Sequence, residues 1–193
     1  MKYILDFDKT IFDAKKFKQI LEDCEIEEGS VSAETFAEIK KMLPGFDIKS
    51  LLFKDALDFL EAHASECEIV SSYLSVDPEN NSDPEKREAF QAEKISLCGI
   101  TELLGSDHVH LVGDSKVEKL QELKLIHEET GEQCVFVDDN EKWTKQAESI
   151  GMRAYTMKRD RQMGVIEGFF TSIEKGEISS FTDLEQRIKE DTK

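Results

Sequence analysis

Short apolar runs recur along this chain, each ending in polar residues, with stretches of helical pattern between them. They occupy residues 2–7, ending in Asp6 and Asp8; 67–70, ending in Ser71-Ser72; 109–112, ending in Gly113-Asp114; and 134–137, ending in Asp138-Asp139. A weaker fifth run covers 153–157. Apolar runs of strand length without a polar face read as strands covered on both sides. Strands alternating with helices imply a parallel sheet between helical layers.

The spacers support this. Residues 54–64 carry Leu57, Leu60 and Ala64 on one helical face. Residues 84–97 open with Pro84, which suits the first turn of a helix. Residues 115–129 carry Val117, Leu120, Leu123 and Leu125, with Asp114 or Ser115 placed to cap them and Gly131 just beyond. Residues 141–150 lead to Gly151, and 181–188 read as a last helix after a less regular tail. The expectation is an α/β, three-layer Rossmann-like domain with a five-stranded, mainly parallel sheet, using all 193 residues as one domain. Residues 14–50 break the rhythm. Phe17, Ile20 and Leu21, then Phe36, Ile39 and Leu43, suggest two short helices, with turns at 27–29 and 44–45. We read this segment as a small helical cap insertion between the first and second strands, and 77–83 as a polar loop.

In an open α/β sheet, ligands bind beyond the carboxyl ends of the strands. The chemistry-bearing residues collect there: Asp6, Asp8 and Thr10; Ser71; Asp114 and Lys116; Asp138 and Asp139. Alternation along a strand puts Asp6 and Asp8 on the same side. Two carboxylates that close repel unless a cation or a shared proton intervenes. The first stretch therefore asks for a metal or an acid–base pair.

With those residues in view, the chain resembles the haloacid dehalogenase-like superfamily of phosphohydrolases. DFDKT at 6–10 is similar to that family's DxDxT, and IVSS at 69–72 to its strand ending in Ser or Thr. Lys116 matches the lysine opening the next helix, and VFVDD at 135–139 the strand ending in paired acids. All four come in the family's order and span most of the chain.

The resemblance implies a Mg²⁺-dependent phosphatase acting on a small phosphorylated substrate. Asp6 would be the nucleophile, forming an aspartyl-phosphate. Asp8 would protonate the leaving group and then activate water. Mg²⁺ would sit among Asp6, the Asp8 backbone carbonyl and Asp138, oxygen donors suited to a hard cation, with Asp139 acting through water. Ser71 and Lys116 would hold the phosphoryl group, and Thr10 would pin the loop. Ser72 can stand in for Ser71, and Lys119 for Lys116. VGD at 112–114 imitates the paired-acid motif and would take its lysine from Lys94, but it leaves VFVDD without a role. The alternatives are a phosphomutase or other phosphoryl transferase of the same superfamily, which shares this chemistry, and a non-catalytic phosphate-binding or signalling module. Receiver domains place their paired acids first and their lysine last, the reverse of this order. Dehalogenation has no use for the second acid, Asp8.

The totals restrict partners. A net charge of −17, from 42 acids against 25 basic residues, repels nucleic acid. The opening run is too short and too acidic for a secretory leader, and no stretch has the length of a membrane span. The four cysteines form no CxxC pair, so buried thiols in a reduced, cytoplasmic setting are expected. The four histidines lack ligand spacing and read as surface or filler residues, and Asp13 as a solvated loop acid. Substrate identity and oligomeric state stay open.

Overall fold

A computed structural model of the chain describes residues 1–74, 83–160 and 176–191. The strands are β1 (Lys2–Leu5), β2 (Cys67–Ser72), β3 (Val109–Val112), β4 (Cys134–Asp138), β5 (Arg153–Met157) and β6 (Glu177–Ile178). They form one parallel sheet in the order β3-β2-β1-β4-β5-β6. Among the described residues the sheet thus has six strands rather than the expected five. The sixth is two residues long, too short to leave an apolar pattern. The chain's winding changes direction between β1 and β4, so a crevice opens at their carboxyl ends.

The helices are α1 (Ala14–Asp23), α2 (Thr35–Met42), α3 (Lys54–Ala62), α4 (Pro84–Leu97), α5 (Ile100–Leu104), α6 (Val117–Glu129), α7 (Glu141–Ser149) and α8 (Phe181–Asp191). Strand alternation sorts the core into two halves. Tyr3, Leu5, Cys67, Ile69, Val135 and Val137 face one side, with Phe59 of α3, Phe90 of α4 and Leu184 of α8. Ile4, Val70, Phe136 and Ala154 face the other, against Leu120 and Leu123 of α6 and Ala147 of α7. Each buried large apolar side chain contributes roughly 1.5–3 kcal/mol, so both faces hold the sheet.

Residues 14–50 form an excursion closed at its neck. Phe12 and Leu52 make an antiparallel bridge, Asp13 N–H donates to the Leu51 carbonyl (2.8 Å), and Phe53 N–H donates to the Ile11 carbonyl (2.9 Å). Asp13 is not merely solvated: its carboxylate accepts from Lys16 N–H and caps α1. Rings of the excursion stack on the core, with Phe36 over Phe90 at 5.0 Å and Phe17 edge-on to Phe12 at 5.6 Å.

Helix α6 begins at Val117, later than expected. Asp114 does not cap it, and Ser115 Oγ accepts only a 3.4 Å bond from Val117 N–H. The four cysteines are buried and free. Apart from Asp83, which caps α4, the expected loop at 77–83 lies outside the described residues, as does much of the tail. Among the described residues, no helix is long and apolar enough to cross a membrane.

Candidate active site at the carboxyl ends of β1 and β4

The registers of β1 and β4 place Leu5 beside Val137, so Asp6 and Asp138 emerge as neighbours. Both follow the face of Ile4 and Phe136, the face that α6 covers. Lys116, the residue just before α6, lies between them. Its Nζ donates to Asp6 Oδ1 at 2.5 Å and to Asp138 Oδ2 at 2.7 Å, with 2% of the side chain exposed. Thr10 Oγ donates to Asp6 Oδ2 (3.1 Å), and Asn140 N–H to Asp138 Oδ1 (2.8 Å). Each carboxylate is therefore held at both oxygens.

Asp6, Asp138 and Asp139 each present an oxygen within 4.8 Å of the others. Three carboxylates face one buried ammonium, leaving an excess of negative charge. Burial pushes Asp6 well above the usual carboxylate range; Lys116 opposes it, and Asp138 and Asp139 add to it. Burial, then Asp138, raises Asp139, against Lys9 at 3.6 Å. Burial alone would push Lys116 down, but Asp6 and Asp138 outweigh it and keep it cationic. An all-oxygen donor set with surplus negative charge fits a hard divalent cation.

The expected sharing of a side by Asp6 and Asp8 does not hold. β1 ends at Leu5, and the chain turns sharply at Lys9, whose φ of 60° lies in the left-handed region. Asp8 instead meets α4. Its oxygens accept from Lys94 Nζ (2.8 and 2.9 Å) and from Gln91 Nε2 (2.9 Å). The two aspartates escape repulsion by taking separate lysines.

Alternation also separates the two serines. Ser71 shares the side of Ile69 with α4, and its Oγ accepts from Gln91 Nε2 (2.8 Å). Ser72 points the other way and donates to the Gly113 carbonyl (2.5 Å). Lys119 pairs with Glu122 at 2.6 Å, away from these acids. Lys94, which the VGD reading required, serves Asp8.

Three further features have little sequence signal. Gln91 and Lys94 lie on a helix whose charged residues look solvent-facing from spacing alone. Arg159 donates to the Thr10 carbonyl (3.1 and 2.6 Å) and forks onto Asp55 (2.8 Å to each oxygen). It also sits over the Phe53 ring, fastening the turn that carries Thr10. The histidine reading needs correction: His110 and His127 both engage the buried Glu68 carboxylate, and His63 pairs with Glu66 and Glu185. An acid in the interior of β2 needs such partners.

No protein-family model matches the chain, and the search of curated proteins found no match. Among solved structures, a haloacid dehalogenase-like hydrolase from Burkholderia xenovorans superposes with a TM-score of 0.57 at 14% identity, over 97% of this chain and 96% of that one. A haloacid dehalogenase-like protein of unknown function from Agrobacterium tumefaciens gives a TM-score of 0.47 at 14% identity, over 99% and 98%. A haloacid dehalogenase-like family hydrolase from Streptococcus pneumoniae gives 0.44 at 13% identity, over 82% and 84%. The first likeness shows that this chain has the haloacid dehalogenase-like fold.

Proposed function

We propose that this chain, on its haloacid dehalogenase-like fold, hydrolyses a phosphate monoester through an aspartyl-phosphate on Asp6. The observation that carries this reading is the convergence of Lys116, Asp6 and Asp138, with Asp139 in reach and Asp8 held apart. Asp6, Asp138 and the Asp8 backbone carbonyl would hold Mg²⁺, with Asp139 beside it. The ion would supply positive charge against the phosphoryl oxygens.

In the first step an Asp6 oxygen bonds to phosphorus and the bond to the leaving oxygen breaks. Asp8 gives that oxygen a proton. In the second step Asp8 takes a proton from water, the water oxygen bonds to phosphorus, and Asp6 is released. Lys116 and the Ser71 hydroxyl hold the phosphoryl oxygens. Ser71 accepts its bond from Gln91 and so keeps its own proton to donate. Thr10 and Lys116 orient Asp6.

Asp8 favours phosphoryl chemistry over dehalogenation, because a departing halide needs no proton. The substrate would be a small phosphorylated compound, and the setting cytoplasmic. The test is steady-state hydrolysis of a panel of phosphate monoesters with added Mg²⁺, comparing wild type with Asp6→Asn. Turnover by the wild type alone supports the reading; equal turnover by both removes it.

A further inference from the structure

We infer that Gln91 and Lys94 of α4 are positioning residues that aim Asp8 away from the metal-binding acids and toward the leaving-group oxygen. This rests on the reading of Asp8 as the proton carrier. The two residues, one helical step of three apart, present both donors to one carboxylate. Lys94 reaches both Asp8 oxygens (2.8 and 2.9 Å). Gln91 Nε2 bridges Asp8 Oδ2 (2.9 Å) and Ser71 Oγ (2.8 Å). The amide thereby ties the proton carrier to the hydroxyl proposed to grip the phosphoryl group.

The lysine is an unusual tenant of this place. Its side chain is 6% exposed, and its ammonium lies 5.4–5.7 Å from the ring centroids of Phe7, Phe12 and Phe90. Rings that close restrict where the ammonium can go and favour its charge. A lysine caged this way is a fixed point from which to orient a carboxylate. Asp8 stays partly open to solvent, with 30% of its side chain exposed, as a group exchanging protons with substrate and water requires. Without α4's donors, the backbone turn would leave Asp8 free to join the Asp6, Asp138 and Asp139 oxygens.

The probes are phenyl phosphate, whose basic leaving group needs a proton, and 4-nitrophenyl phosphate, whose leaving group does not. Asp8→Asn, Lys94→Met, Gln91→Leu and Asp8→Asn/Lys94→Met are assayed with saturating Mg²⁺. Lys94→Met and Gln91→Leu are expected to lower kcat for phenyl phosphate, by roughly 10²-fold for the lysine variant, since small misplacements of a reacting group cost that much. KM should change little. With 4-nitrophenyl phosphate the initial burst of nitrophenolate, which needs no proton, should keep its rate in Lys94→Met, while the steady rate falls because Asp8 still activates water in the second step. The double variant should lose no more than Asp8→Asn alone, and Lys94→Arg should recover part of the rate. A crystal structure of Lys94→Met, which needs no turnover, should show the Asp8 carboxylate off α4. An impaired Asp8→Asn beside unimpaired Lys94→Met and Gln91→Leu would overturn this proposal alone. So would multiplicative losses in the double variant, a change in KM only, or an unmoved Asp8 in the crystal. Asp8→Asn turning over phenyl phosphate like wild type would remove the hydrolytic reading beneath it.

Discussion

Lys116 Nζ lies 2.5 Å from Asp6 Oδ1 and 2.7 Å from Asp138 Oδ2, joining two acids from neighbouring strands through one buried ammonium. Taking it away leaves both carboxylates buried without their cation. Lys116→Met should therefore lose about 3–5 kcal/mol of stability in cation-free buffer. Added Mg²⁺ should narrow the gap, because the ion offsets the same charge. Urea unfolding with and without Mg²⁺ measures this. Equal stability of variant and wild type in cation-free buffer would contradict it.

The three-acid cluster predicts cation-dependent stability. Mg²⁺ should raise the melting temperature of the wild type, since an ion bound only by the folded state stabilises it by mass action. Asp138→Asn should abolish the rise, because Asp138 is buried at the centre of the cluster. Asp139→Asn should weaken it, because Asp139 is partly exposed and already near Lys9. Calorimetric titration checks both. Hydrolysis that survives complete chelation would remove the assignment.

Arg159 joins the turn carrying Thr10 to Asp55, which also accepts from Phe181 N–H at the start of α8. Arg159→Met should cost about 2–4 kcal/mol, as partners of a largely buried charged group are left unpaired. Arg159→Lys should recover only part of that, since an ammonium lacks the two-pronged geometry. Chemical denaturation midpoints of the three proteins test the order.

Glu68 predicts an acid-sensitive fold. Burial would raise its carboxyl, but the hydrogen bonds from His110 and His127 outweigh burial and hold it below its ordinary 4.5. A depressed carboxyl stabilises the fold above the unfolded-state value and ceases to do so as pH falls through the folded-state value. Glu68→Gln should thus be less stable than wild type near neutrality, by about 1–3 kcal/mol. The difference should shrink as pH drops below about 4.5. Urea midpoints across that range decide it, and a pH-independent difference would contradict the mechanism.

The sequence made the strand ends legible because a buried parallel strand has few places for a charge. Asp6, Ser71, Lys116 and Asp138 stand where apolar runs stop or helices begin, and the topology brings those points together. The direction Asp8 takes was not legible. That depends on the left-handed turn at Lys9 and on Lys94, 86 residues away. Lys94 entered the sequence reading only as a partner for VGD, because a lysine in a helix ordinarily faces solvent, and only the packed Phe7, Phe12 and Phe90 reveal it as buried. Glu68 and its histidines were hidden likewise: each is an ordinary polar residue until strand pairing and α6 place them together. β6 is too short to carry a period.

The most direct test of the central claim is to look for the phosphoryl group on Asp6. Wild type mixed with a turned-over phosphate monoester and Mg²⁺, acid-quenched within a turnover and digested, should yield the peptide containing Asp6 with an added phosphoryl mass, and Asp6→Asn should not. A phosphoryl adduct on another residue, or hydrolysis by the wild type with no adduct on Asp6 in either the wild type or Asp8→Asn, would contradict the account.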